Sequence, residues 1–300
     1  MKSVESIKGK LKYRSQITKR LYSEILTMFL IERFIYRISI SNYKDNFILK
    51  GGVLLYAIYD KEYSRATADI DLLSKGIKND IDKIRKVFQD IIRIDYFNDF
   101  VTYDLESLYL SEITKGNLYL GVKVTVKSYL GKSIQKISVD IGFGDIVKPK
   151  VSQMEFPVIL DLEIPKINVY SKESIIAEKF EAIVSLGELN SRYKDYFDLY
   201  TLFNTTDFNY NTILEAINAT FNQRKTSLDY IVLYDDKYVS NPTRKRFWNA
   251  MIKKRGIKQE ISFVECVDLI REFVKPIVNE LKEKRVSSFN QWSHKNRKWI

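Results

Sequence analysis

One stretch constrains this chain more than any other: KGGVLLYAIYDKEYSRATADIDLL, residues 50–73. It reads as a Gly-Gly pair, an apolar helix, a polar loop and an apolar strand carrying aspartates at alternate positions. Successive side chains of a strand alternate faces, so Asp69 and Asp71 project together while Ile70 and Leu72 point into a core. Two carboxylates held side by side repel unless a cation neutralises them. Oxygen donors of that kind, working beside phosphates, suit Mg²⁺. A pair of such ions activates an attacking hydroxyl and stabilises a leaving pyrophosphate in an in-line displacement.

The neighbours of this stretch fit the same chemistry. Without side chains, Gly51 and Gly52 let the backbone approach a triphosphate at a helix N-terminus, although tight turns use the same pair. Ser64, Arg65 and Thr67 stand just before the aspartates, where a hydroxyl or guanidinium reaches phosphate or simply faces water. A third metal ligand is sought on a neighbouring strand. Asp140 in KISVDIGFGD is the first candidate, against the plainer reading of a strand-end residue facing solvent; Asp145 is the weaker choice. A second cluster spans residues 173–203, ESIIAEKFEAIVSLGELNSRYKDYFDLYTLF. Lys179 borders its apolar stripe, where lysines usually snorkel and where a nearby triphosphate would also hold one. Asp195 and Asp198 lie three apart on one helix face, and on spacing alone Arg192, Lys194 and Asp195 read as a solvated ion-pair network.

Around these landmarks the expected order is helical at 15–39, a short strand into a helix at 47–59, and the aspartate strand. A capped helix at 80–92 follows, with strands at 107–113, 119–129, 135–143 and 156–159 and a long helical tract at 171–203. From about residue 207 the chain reads mostly helical and basic. The fold class is α+β: N-terminal helices at 1–45, a mixed-sheet core at 46–165 and a helical region at 166–300.

Composition removes competing chemistries. A single histidine, His294, and a single cysteine, Cys266, exclude disulfide frameworks, cysteine zinc sites and histidine triads. The apolar run at 25–40 is broken by Glu32, Arg33 and Arg37, so no membrane span is expected, and with no secretory h-region a cytoplasmic location is expected. The net charge of +11 favours a polyanionic partner or merely solubility. Arg244–Arg246, Lys253–Arg255 and the basic residues from Lys282 to Lys298, near Phe247, Trp248, Trp292 and Trp299, are a candidate RNA-binding surface of charge and stacking platforms, or else solvated helix faces.

Taken together, KGGVLLYAIYDKEYSRATADIDLL, SVDIGFGD, ESIIAEKFEAI and RYKDYFDLYTLF resemble, in order, the AbiEii/AbiGii-type nucleotidyltransferase toxins. These are relatives of the MenT toxins in the polymerase-β-like nucleotidyltransferase superfamily. The resemblance implies that Asp69 and Asp71 bind catalytic Mg²⁺, Gly51 and Gly52 form the nucleotide-binding turn, Lys179 contacts phosphates and Asp195 is catalytic. The superfamily's usual Gly-Ser is Gly-Gly here, and its Arg-Asp pair is Arg192-Tyr193-Lys194-Asp195.

The resemblance further implies the toxin of a toxin–antitoxin pair acting in abortive phage infection. Its substrates would be an NTP, with GTP favoured over a pyrimidine nucleotide, and RNA, with the 3′ end of tRNA as acceptor. The antitoxin would be a separate winged-helix repressor, with direct contact left open. Two alternatives stay in view: nucleotide transfer to a protein side chain, and an inactive nucleic-acid-binding regulator.

Overall fold

A computed structural model of the chain describes residues 3–59, 67–115, 118–254, 256–257, 260–284 and 287–300, the side chains of 115 and 118–120 aside. It divides into two compact units: residues 1–145 with 152–170, and 146–151 with 171–300.

The first unit opens with α1 (Val4–Thr18), capped by the Ser3 hydroxyl, which accepts from the Ser6 amide, and α2 (Tyr22–Ile40). β1 (Phe47–Lys50) runs directly into α3 (Gly51–Ile58), followed by β2 (Asp69–Ser74) and α4 (Ile81–Ile92), whose cap is Asp80, where the sequence left Asn79 or Asp80 open. β3 (Val101–Lys115), β4 (Leu118–Leu130) and β5 (Ser133–Phe143) form a meander, and β6 (Ser152–Glu155) and β7 (Lys166–Val169) complete a seven-stranded sheet. The order is β3-β4-β5-β2-β1-β7-β6, with β2–β5 and β1–β7 parallel and the other pairs antiparallel. Leu49, Leu72, Ile141 and Val122 are register partners in one buried row on the sheet face opposite the aspartates. Burying such a row is what holds the sheet in register, since a one-residue slip would expose it.

Buried charge in α2 is paired. Glu32 pairs with Arg33 at 2.7 Å and accepts from the Ile159 amide at 2.7 Å, while Arg37 forms a two-pronged pair with Asp99. That bond corrects the strand expected at 156–159, which is irregular chain. The Phe156 amide donates to the Pro165 carbonyl, Pro157 has no amide, and Ile159 spends its own on Glu32, so no ladder forms.

The second unit holds α5 (Lys172–Leu186), α6 (Tyr193–Thr205), β8 (Phe208–Asn209), α7 (Tyr210–Arg224), α8 (Asp236–Ser240), α9 (Pro242–Lys254), α10 (Phe263–Glu283), β9 (Gln291–Ser293) and β10 (Lys298–Trp299). The single helical tract expected at 171–203 is two helices. Gly187, at φ +51°, ends α5, and Asn190 caps the turn whose Arg192 amide it accepts. A small sheet, β10-β9-β8, was not expected. It seats Trp292 and Trp299 against Phe203 and Phe273, whose rings stack at 3.7 Å. Each tryptophan N–H finds a backbone carbonyl: Trp248 that of Ile261, Trp292 that of Phe203 and Trp299 that of Phe273. Satisfied this way, all three are buried. This corrects the expected stacking surface, of which only Phe247 is outward, 49 % exposed.

Candidate active site

In the first unit the site begins where β1 becomes α3. Gly51 has φ +71°, and a Cβ placed there would lie 1.9 Å from Oδ2 of Asp71. Both the backbone conformation and the close approach of the carboxylate demand glycine. The Asp71 carboxylate therefore meets the start of α3, where helix amides lack partners and the dipole favours negative charge. Gly52 is buried in the first turn.

Register assembles the rest. Across the sheet, Lys50 pairs with Asp71, Asp71 with Asp140, and Asp140 with Lys123, so the four share one face in the order cation, anion, anion, cation. Asp69 stands two residues along on that face, exposed, while Asp71 is half-buried. The flanking lysines are engaged: Lys123 forms an ion pair with Asp140 and lies 3.2 Å from Ser138 Oγ, and Lys50 lies 2.8 Å from Asp145. The Lys50 ammonium also lies 3.5 Å from the Tyr170 hydroxyl. Among these six described groups, four carboxylates face two ammoniums, leaving an excess of two negative charges. A divalent cation with hard oxygen preference fits that donor set. Asp69 and Asp71 could hold one; Asp140 is beside Asp71 but shares an oxygen with Lys123. Among the described residues no three potential ligands are already gathered as a metal group. Thr67 lies half-buried just before β2, and Ser64 and Arg65 fall outside the described residues.

In the second unit, α5 packs on α6 and brings the other predicted residues together. The Lys179 ammonium lies 2.8 Å from Asp195 and 2.6 Å from Asp198, and Arg192 reaches the second oxygen of Asp195 at 2.6 Å. Both aspartates are fully buried and Lys179 is 9 % exposed. This is a buried, charge-balanced cluster, not the solvated network that spacing favoured. It gives Arg192 a partner, whereas Lys194 is exposed.

Sequence reading passed over Lys50 and Lys123. Lys50 adjoins the glycine pair, a signal that was available, but Lys123 enters only through strand register, which one sequence does not reveal.

The profile of the AbiEii nucleotidyl transferase toxin family, type IV toxin–antitoxin system, matches residues 33–281. Among solved structures, the chain is similar to an H. pylori protein provisionally assigned as a nucleotidyltransferase, at 15 % identity and TM-score 0.50, covering 88 % of this chain and 99 % of that one. It is also similar to JHP933 from Helicobacter pylori, at 15 % identity and TM-score 0.48, covering 87 % and 94 %. No curated protein matches. No helix among the described residues is long and apolar enough to cross a membrane. With its profile match running from α2 through most of α10, the chain belongs to the AbiEii nucleotidyltransferase toxin family.

Proposed function

We propose that this chain is the toxin of a type IV pair and transfers a nucleoside monophosphate from an NTP, GTP first among them, to RNA at the 3′ end of tRNA, arresting growth. The observation that carries the reading is the acidic row: Asp71 and Asp140 in register, Asp69 on the same face, and Asp71 set against the glycine start of α3. Asp69 and Asp71, with Asp140 as the further ligand, would hold Mg²⁺, which when bound would neutralise charge at the phosphates. The acceptor 3′ hydroxyl gives up its proton to water, its oxygen bonds to the α-phosphorus, and the bond to pyrophosphate breaks so that pyrophosphate leaves. The amides at the start of α3 accommodate phosphate oxygens. Lys179 keeps the phosphate role its motif implies, and Asp195 and Asp198 hold its ammonium in place. Because both oxygens of Asp195 are engaged by cations, its part is positioning and not proton abstraction. The partner restraining this activity is a winged-helix antitoxin.

The test is to incubate purified chain with total tRNA, Mg²⁺ and each α-labelled NTP separately, and resolve the products on a denaturing gel. Labelled tRNA is expected with the native chain and none with Asp69→Ala. Full activity in Asp69→Ala would sink the metal assignment, and label on protein alone would replace the RNA acceptor.

A further inference from the structure

One basic stretch of the second unit is free of acidic residues. Between Asp236 and Glu260 the chain has no acidic residue, and α9 lies inside that gap. Proline opens the helix and Asn241 accepts from the Thr243 amide at 2.9 Å, so its start is well defined. Yet Arg244 and Lys245 occupy the first turn, the end where the helix dipole favours anions. Only Trp248 of this helix is buried. Lys245, Arg246, Phe247, Lys253 and Lys254 are exposed, and among the described residues no carboxylate pairs with any of the four cations.

The inner face, by contrast, is anchored. The Arg244 guanidinium lies 3.6 Å from the Tyr238 ring centroid and donates to the carbonyls of Asn190, at 3.0 Å, and Glu188. Those carbonyls belong to the turn that leads to Arg192 and the Lys179–Asp195 cluster. The start of α9 therefore presents Lys245 against the helix dipole, its last turn carries Lys253 and Lys254, and one outward aromatic ring lies beside Arg246 at 5.4 Å.

We infer that the outer face of α9 docks a single-stranded segment of RNA, Lys245, Arg246 and Lys253 meeting phosphates and Phe247 stacking on an unpaired base. Phosphates supply the missing counter-charge, and an aromatic face accepts any base. A protein partner is less well served, because Phe247 is the sole large apolar side chain exposed on the described helix. The choice of RNA over DNA rests on the acceptor proposed above; the docking face itself does not need the transfer reaction.

The test uses the full chain without nucleotide, measuring fluorescence anisotropy of a labelled oligoribonucleotide, single-stranded and in duplex, across a salt series. Removing three cations together, Lys245→Gln, Arg246→Gln and Lys253→Gln, should weaken binding at least about tenfold and flatten the log–log salt slope by about 2. Phe247→Ala should cost about fivefold or more on the single strand and leave the duplex unchanged. A control triple of equally exposed lysines, Lys225→Gln, Lys275→Gln and Lys298→Gln, should bind nearly as the native chain does. All these side chains are exposed, so native circular dichroism and melting temperature are expected and checked. Unchanged binding in the first triple, or equal loss in both triples, overturns the inference. So does a first triple that still holds RNA and loses only a protein partner. RNA binding lost as expected, with no RNA ever labelled from any NTP, would keep the docking face and discard the acceptor reading.

Discussion

In the first unit, three carboxylates and two ammoniums share a sheet face, Asp145 adds a fourth carboxylate against Lys50, and the negative excess reaches solvent at Asp69. In the second, two carboxylates and two cations balance one another in the packing of α5 on α6, with both carboxylates fully buried. The residue types are the same and the physics is opposite. A like-charged row in water is tolerable and available to a cation. A buried set survives only when each charge has its partner, and it then resists any disturbance. The first arrangement is suited to recruiting a ligand, the second to holding a side chain still.

The largest effect that would break this comparison is on stability. Lys179→Met takes the ammonium away from two buried aspartates, with Arg192 still on Asp195, and should cost about 3–5 kcal/mol. Asp71→Asn removes repulsion from Asp140 together with attraction from the start of α3 on a half-buried face, and should change stability by no more than about 1 kcal/mol while abolishing transfer. Denaturant titration of both variants checks this; equal destabilisation would erase the distinction.

A smaller effect sharpens the geometry of the first site. Gly51→Ala forces a Cβ into both a left-handed conformation and the Asp71 carboxylate, and should cost about 1–3 kcal/mol with a displaced carboxylate and lost transfer. A stable, active Gly51→Ala would mean that Asp71 need not lie against α3.

The smallest effect concerns alkaline pH. In the second unit burial pushes the Tyr200 hydroxyl up to about 12, and its hydrogen bond to Glu265 at 2.7 Å adds to that. A folded-state pKa above the ordinary value of about 10 gives stability present below that value and lost as pH rises toward the folded one. Melting temperature should therefore fall over that window, less steeply in Tyr200→Phe and with unchanged steepness in Asp71→Asn.

Much of this was legible without coordinates, for identifiable reasons. Alternation placed Asp69 and Asp71 on one face, the glycine pair marked the junction of β1 and α3, and Asp80 announced α4; each is a local rule acting over a few residues. What escaped were relations between distant residues. Lys123 and Asp140 meet through antiparallel register, Ile159 is taken from the expected strand by Glu32, and the tryptophans turn inward because carbonyls far along the chain accept their N–H groups.

The sequence by itself determined the α+β class, the family and the placing of Asp69 and Asp71 on one strand face, since these depend on periodicity, motif order and residue chemistry. Only the tertiary structure decided which charges are open and which are spent. The same aspartate is a ligand or a strut according to what packs over it, and desolvation and pairing belong to the neighbours that folding brings, not to the residue.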